Sequence, residues 1–250
     1  MKSKIEWTDY TINPVKGLCP MACSYCYARR MYKRFKWDPE IRFDTDTLKL
    51  TGQGIKSGSK IFVGSTMELF GDWVKPEWLK RIFTWTTAYP EHTFIFLTKQ
   101  PRNLIKWSPF PDNCWVGVSF TGKEPDGFAY PLVHLQARVK FISFEPLLNS
   151  CVKNIDSFSL SLERAGINWI IIGAQTPYSQ QTAPKIEWVE EIVDAATKAK
   201  IPVFLKDNLK TLFEVEKGKI WDVPNWAGSG GYGHNMLRQE FPKDRQEVTR

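Results

Sequence analysis

Length, composition and charge limit the classes of protein to which this chain can belong. The chain has 250 residues, of which 42% are hydrophobic, and this suits one domain of barrel size. Its apolar runs are too short for a membrane span and no apolar signal segment opens it, so we expect a cytoplasmic protein without a membrane partner. The formal net charge of +7 permits a polyanionic partner without requiring one.

A loop with three cysteines, residues 17–27, follows an early strand that we predict within residues 7–15. Its thiols have the spacing Cys-x3-Cys-x2-Cys and belong to Cys19, Cys23 and Cys26. Closely spaced thiolates in one loop typically hold an iron–sulfur cluster. A zinc site normally has two Cys-x2-Cys pairs or histidine partners, and the rest of the chain offers neither spacing. Three ordinary buried thiols are the alternative, but the pattern favours a cluster in which one iron has no protein ligand.

The residues after the cysteine loop predict a basic helix over residues 27–35. Apolar side chains recur there every four residues, at Tyr27, Met31 and Phe35. Cations fill other positions of this segment and the position after it: Arg29, Arg30, Lys33, Arg34 and Lys36. Such a face suits a phosphate backbone, and the chain's 11 tryptophans and 8 tyrosines could stack on bases. A solvated basic face and core aromatics are the simpler interpretation.

Strands and helices alternate along the remaining chain. Short runs rich in Val, Ile and Phe are typical of parallel strands buried on both faces. They predict strands at residues 60–64, 93–97, 114–118, 139–144, 169–173 and 202–205, with helices at 76–88 and 185–200. We therefore expect an α/β fold, a partial (βα)6-type TIM-like barrel over residues 1–215, with an open doubly wound parallel sheet as the alternative. Residues 216–250 are glycine-rich and then polar, and they predict a cover and a frayed tail.

Polar and charged residues follow the predicted strands at the end where such folds place their active sites. These candidate site residues are Ser65, Thr66, Glu68, Lys99, Ser119, Glu145, Gln175 and Lys206. Two lysines and two glutamates among them would suit a zwitterionic ligand. They would equally suit salt bridges with one another, and both interpretations stay open.

The cysteine loop resembles the signature of radical S-adenosylmethionine (SAM) enzymes, Cys-x3-Cys-x-aromatic-Cys, with Tyr25 as the aromatic residue. The resemblance implies a [4Fe–4S] cluster on the three cysteines, SAM on its open iron, and Tyr25 beside the adenine. One electron from an external reductant would then cleave SAM to a 5′-deoxyadenosyl radical, which takes a hydrogen atom from a substrate. It also implies that Glu68 binds the SAM amino group, although the usual glycines are missing before it, and that Ser119 contacts the ribose and carboxylate.

A closer resemblance extends over most of the chain. Segments 7–14, 94–101, 143–148 and 167–173, together with the cysteine loop, occur in the order found in a phage-associated radical SAM family of unknown function. That family is often encoded beside a three-Cys-motif partner protein, which implies a partner protein here. Its relatives usually have a longer insert in the cysteine loop, and a Lys-Gln-Trp after the last strand where this chain has Lys206-Asp207-Asn208.

The substrate is the least determined part of the prediction. Likeness to radical SAM enzymes that repair or modify nucleic acid favours DNA or RNA, with a metabolite or a protein as alternatives. Cys151 lies after a predicted strand and is a candidate hydrogen-atom donor, whereas Cys114 opens a strand. For both, a buried structural thiol is the simpler interpretation. A non-catalytic iron–sulfur electron carrier or a redox-sensing nucleic-acid-binding protein is the alternative function, but neither needs an open iron.

Overall fold

A computed structural model of the chain describes residues 2–49, 54–123, 129–213, 226–228 and 237–242. These residues belong to two compact units. The first unit comprises Met1–Val118 and His134–Arg138, and the second comprises Ser119–Val133 and Val139–Arg250. The predicted glycine-rich cover, 216–250, lies outside the described residues except for 226–228 and 237–242.

The first unit is built on parallel strands that pair in chain order. Its strands are β1 (Tyr10–Ile12), β2 (Val15–Lys16), β3 (Arg42–Phe43), β4 (Lys60–Val63), β5 (Thr93–Thr98) and β6 (Cys114–Ser119). Strands β1, β4, β5 and β6 pair as parallel neighbours, while β2 and β3 form a short antiparallel pair. The order has no reversal of the kind that defines a doubly wound sheet.

Among the described residues of this unit, two helices and two 3-10 turns connect the strands. The helices are α1 (Tyr27–Phe35) and α2 (Pro76–Thr87), and the 3-10 turns are Thr45–Leu48 and Pro101–Trp107. Helix α2 begins at a proline, which is favourable at the first helical position, and buries Leu79, Ile82 and Thr86. Helix α1 buries only Ala28. The four-residue stripe predicted for α1 is therefore not its buried face: Tyr27 is 41% exposed and Phe35 is 51% exposed.

The second unit repeats the alternation of helix and strand. Its elements are α3 (Ala129–Val133), β7 (Val139–Phe144), α4 (Ile155–Arg164), β8 (Trp169–Ile172), α5 (Ile186–Lys198), β9 (Val203–Leu205) and a 3-10 turn, Asp207–Leu212. Strands β7, β8 and β9 are parallel neighbours. All four residues of β8 are fully buried, as expected for a parallel strand that is covered on both faces. Asn154 caps α4 by accepting a 2.9 Å hydrogen bond from the Ser157 amide.

The predicted strands and helices are confirmed to within two residues at most of their ends. The early strand is shorter than expected, because the stretch 7–15 divides into β1 and the start of β2. No helix in the described part of the chain is long and apolar enough to cross a membrane.

Candidate functional site

The cysteine loop leads directly into α1, and one of its thiols is the helix cap. The Cys26 sulfur accepts a 3.4 Å hydrogen bond from the Arg29 amide. Cys19, Cys23 and Cys26 are all half-buried. The loop starts at Gly17, whose φ of +121° excludes most other residues, and a Cβ there would lie 2.6 Å from the Glu40 carbonyl oxygen. The backbone conformation of this loop thus depends on a glycine at its entrance.

Side chains of α1 hold the cysteine loop in place. The Arg29 guanidinium donates a 2.7 Å hydrogen bond to the Cys19 carbonyl, and the Tyr32 hydroxyl accepts a 2.8 Å bond from the Gly17 amide. At the start of the 3-10 segment after β5, the side-chain nitrogen of Gln100 (Nε2) lies 3.2 Å from the Met21 sulfur. Arg29 therefore faces the loop, although its position in the sequence groups it with the other cations of a basic face.

Cys19 lies against the segment that follows β4. Its sulfur accepts a 3.5 Å hydrogen bond from the Glu68 amide. Burial raises the pKa of the Cys19 thiol above its usual value, the amides of Glu68 and Met21 oppose that rise, and the charges of Glu68 and Cys26 add to it. Amide donors on cysteine sulfur are among the features that tune iron–sulfur clusters. The cysteine loop therefore approaches the carboxyl end of β4.

Glu68 is buried, and its carboxylate accepts three hydrogen bonds from the protein. One oxygen accepts bonds from the Phe70 amide at 3.0 Å and the Thr98 hydroxyl at 2.7 Å, and the other accepts from the Lys99 amide at 2.6 Å. Burial raises the pKa of this carboxyl, while the three donors and the Lys99 charge oppose the rise. The observed role of Glu68 is to tie the end of β5 to the loop after β4. Its binding of a SAM amino group stays a prediction.

The Lys99 ammonium interacts with an aromatic ring. Its nitrogen lies 5.4 Å from the centre of the Tyr25 ring, within reach of a cation–π interaction. The Lys99 charge opposes the rise in the pKa of Glu68, but the direct hydrogen bond to the Glu68 carboxylate comes from the Lys99 backbone. Tyr25 is the aromatic residue of the cysteine motif, so this contact connects the cysteine loop to the end of β5.

Ser65 and Thr66 are held by a residue that the sequence did not single out. The side-chain oxygen of Asn13 (Oδ1) accepts hydrogen bonds from both the Ser65 hydroxyl and the Thr66 backbone amide, each at 3.2 Å. The Tyr27 hydroxyl donates a 2.8 Å bond to the Ser65 carbonyl. A signal for Asn13 existed in the Asn-Pro pair just after the early strand, since such pairs favour turns.

The three thiols fit a cluster in their chemistry. They are half-buried, share one loop, and two of the sulfurs accept amide hydrogen bonds. Within the described ranges, however, no three His, Cys, Asp or Glu side chains are arranged so that they could hold a metal ion. Cluster binding by Cys19, Cys23 and Cys26 therefore stays a prediction based on donor type and spacing.

The second unit has its own polar group at strand ends. Glu145, after β7, forms a salt bridge with Lys206, after β9, and their side chains are 24% and 10% exposed. Gly173, after β8, leaves the space that the Lys206 side chain occupies, because a Cβ at position 173 would lie 2.8 Å from that side chain. Asn208 clamps the same strand end by bonding the Ala174 amide at 3.0 Å and carbonyl at 2.8 Å. Of the two interpretations for these charges, the mutual salt bridge is the one observed.

The remaining candidates lie near strand ends without an assigned ligand contact. Ser119 is buried at the last position of β6, and Gln175 is half-buried after β8. Cys151 is half-buried between β7 and α4. Cys114 is fully buried, 3.4 Å from the Thr86 hydroxyl, and burial raises its pKa to about 12. The roles predicted for Ser119, Gln175 and Cys151 stay predictions, whereas Cys114 is a structural thiol.

Comparison with known proteins identifies both a fold and a family. The chain is similar to a solved structure of spore photoproduct lyase complexed with dinucleoside spore photoproduct, with a TM-score of 0.52 and 14% identity. The match covers 80% of this chain and 64% of that protein, so this chain spans less than two thirds of its length. The likeness confirms the predicted α/β class, a partial barrel of parallel strands. No curated protein sequence matches significantly. A family model matches residues 2–222, and the chain therefore belongs to the family described as "Protein of unknown function (DUF5131)".

Proposed function

We propose that this chain is a radical SAM enzyme in which Cys19, Cys23 and Cys26 hold a [4Fe–4S] cluster. The observation that carries the proposal is the contact between the Cys19 sulfur and the Glu68 amide at 3.5 Å. Because Glu68 also binds the end of β5, the cysteine loop lies at the carboxyl ends of β4 and β5. Parallel α/β proteins place their chemistry at these ends. The likeness in fold to spore photoproduct lyase adds support.

A cluster of this kind, with SAM and one electron from an external reductant, supplies hydrogen-atom abstraction from a substrate. The chain's own residues would prepare the site. Arg29 and Tyr32 hold the backbone of the cysteine loop at Cys19 and Gly17, and the Glu68 amide donates to sulfur. The ring of Tyr25, 5.4 Å from the Lys99 ammonium, offers an aromatic surface for an adenine.

Further polar groups for SAM would come from predicted positions within each unit, taken by itself. In the first unit, the Ser65 and Thr66 hydroxyls lie on the segment after β4, where Asn13 fixes the backbone. In the second unit, Glu145 and Lys206 neutralise each other, so a zwitterion would have to compete with their salt bridge. Ser119 and Gln175 remain proposed contacts, and Cys151 remains a proposed hydrogen-atom donor.

We propose a nucleic acid as the substrate. The formal net charge of +7 is compatible with a polyanion, and the structure of similar fold contains a dinucleoside spore photoproduct. A partner protein, as the family resemblance implies, would be an additional component. The reaction class is then modification or repair of DNA or RNA.

The test is anaerobic reconstitution with iron and sulfide, followed by dithionite and SAM. We expect a [4Fe–4S] absorbance and electron paramagnetic resonance signal, and formation of 5′-deoxyadenosine. Cys26→Ser is the informative variant, because serine keeps an acceptor at the N-cap of α1 while removing the thiolate. It should reduce cluster signal and product to background, and Cys114→Ala, which removes a buried thiol elsewhere, should leave both intact.

Two results would contradict the proposal. One is a reconstituted protein that shows the cluster signal but forms no 5′-deoxyadenosine above the Cys26→Ser background, which would leave the non-catalytic carrier or sensor. The other is equal iron content in Cys26→Ser and the wild type, which would remove the cysteine loop as the binding site.

A further inference from the structure

We propose that the exposed end of α1 binds a single strand of nucleic acid through an aromatic–basic platform, defined as Lys33, Arg34, Phe35, Lys36 and Trp37. The inference rests on the proposed function, since it gives the location and the strandedness of the proposed nucleic-acid contact. It is independent of which atom of the substrate reacts. The platform belongs entirely to the first unit.

The platform exposes a preformed aromatic stack. The rings of Phe35 and Trp37 are 5.5 Å apart and tilted by only 23°, yet the two residues remain 51% and 43% exposed. The Arg34 guanidinium lies 5.3 Å from the centre of the Phe35 ring. Large aromatic side chains that stack on each other in water-exposed positions provide flat surfaces on which unpaired bases stack. A guanidinium plane extends the same surface.

The charge of the platform is positive and largely uncompensated. Lys33, Arg34 and Lys36 are exposed, and no ion pair engages any of them within the part of the chain that the structure describes. The nearest acid along the chain, Asp38, is already paired with Arg42 at 2.8 Å. The other acid close in sequence, Glu40, is also exposed, and its single charge does not balance the three cations. Three cations beside an aromatic stack complement alternating phosphates and bases.

The platform is fixed to the cysteine loop. Lys36 ends α1 in the left-handed conformation with φ of 49°, and this turns Trp37 back so that its amide bonds the Tyr32 carbonyl at 3.2 Å. The Trp37 ring then packs edge-on to Tyr32, with centroids 5.3 Å apart. Tyr32 accepts the Gly17 amide at the entrance of the cysteine loop. A strand stacked on Trp37 is thus anchored one side chain away from that loop.

Single-stranded nucleic acid fits this surface better than a duplex. A duplex keeps its bases stacked on each other and offers phosphates to cations, so its bases do not present free faces on which exposed rings could stack. A second stack in the same unit gives the contrast: Phe43 and Trp78 are half-buried, and Arg81 and Lys75 cover them at 5.5 and 5.4 Å. That stack serves packing within the chain, whereas the platform stays open.

The experiment is fluorescence anisotropy with a labelled single strand of about 12 nucleotides, in DNA and RNA versions, titrated with anaerobically reconstituted protein. Phe35→Ala/Trp37→Ala should weaken binding by about tenfold or more, since each stacked base contributes about 1–3 kcal/mol. Lys33→Gln/Arg34→Gln/Lys36→Gln should flatten the slope of log affinity against log salt by about 2, because each phosphate that a cation neutralises contributes about 0.7 to that slope. Two controls should bind like the wild type. Lys75→Gln/Arg81→Gln changes the cations at the half-buried stack, and Tyr178→Ala removes an aromatic ring of the second unit that is 37% exposed.

The outcomes separate this inference from the proposed function. Wild-type binding by both platform variants, or tighter binding of the duplex than of the single strand, overturns the platform. The platform is also overturned if the wild-type protein binds neither the DNA nor the RNA single strand at low salt, even if it binds a partner protein through the same face. SAM cleavage by the wild-type protein without nucleic acid tests the chemistry separately. Melting curves and iron content identify a variant that merely fails to fold. If the aromatic variant fails to fold, the binding of the charge variant decides whether the platform exists, because its three replaced side chains are exposed and their replacement should not disturb folding.

Discussion

Removing the carboxylate of Glu68 should loosen the junction between the cysteine loop and β5. In Glu68→Ala the amides of Phe70 and Lys99 and the hydroxyl of Thr98 lose their common acceptor in a buried place. Each unsatisfied donor costs about 1 kcal/mol or more, so the free energy of unfolding should fall by about 3 kcal/mol. For a chain of this size that corresponds to a decrease in Tm of roughly 6–12 °C.

A graded series of substitutions separates the contacts of the Glu68 carboxylate from the charge of Lys99. Glu68→Gln keeps one accepting oxygen, so it should retain the two bonds of that oxygen and leave only the Lys99 amide facing a donor. Its loss should be about 1–2 kcal/mol by urea denaturation. Lys99→Gln removes the ammonium that lies over Tyr25 but keeps the backbone amide, and it should cost less than about 1 kcal/mol. If Lys99→Gln destabilises the protein as much as Glu68→Ala, the backbone contact is not what holds the junction.

Other predictions concern the buried thiol and the salt bridge. The raised pKa of Cys114, about 12 against an ordinary value of 9.0, means that wild-type stability is lost as pH rises above about 9, because the unfolded chain ionises first. The free energy of unfolding of Cys114→Val, measured in urea relative to that of the wild type, should therefore rise by about 1.4 kcal/mol between about pH 8 and pH 10. If the difference between the two proteins is the same at both pH values, the buried thiol is not held neutral. Lys206→Met should lower the free energy of unfolding by about 2 kcal/mol, because it leaves the Glu145 carboxylate unpaired. The double variant Glu145→Gln/Lys206→Met should recover at least half of that loss. If the losses of the single variants simply add, the two side chains are not coupled.

The fold was largely predictable because hydrophobic runs report parallel strands directly. Strand β8, with four fully buried residues, has the continuous apolar sequence that two covered faces require. The antiparallel pair of β2 and β3 was missed, since each strand has two residues and such lengths show no period. Helix α1 was predicted correctly, but the exposure of its apolar stripe was not predictable, because four-residue spacing marks one face of a helix without saying whether that face is covered.

The site was predictable in its residue types but not in its contacts. Spacing alone placed the three cysteines in one loop, and strand ends placed Glu68 and Lys99 close together. Which atom of Lys99 meets Glu68 depends on the backbone direction after β5, and no local pattern encodes that. The inward direction of Arg29 was equally hidden, because an arginine among other cations looks solvated until its partner, a loop carbonyl, is located.

The two roles proposed for helix α1 place opposite demands on its charges. Cations close to thiolates would favour ionised sulfur, yet Arg29, which turns towards the cysteine loop, bonds a carbonyl rather than a sulfur. The other cations of the last turn point to solvent, and the left-handed residue Lys36 brings Trp37 back among them. The helix therefore separates its charges by face. Its inner side shapes the cysteine loop through hydrogen bonds, and its outer end leaves cations exposed to solvent, where the proposed polyanion would bind. This arrangement is expected where a chemical site must lie close to a charged substrate while its own charges stay separate from those that bind the substrate.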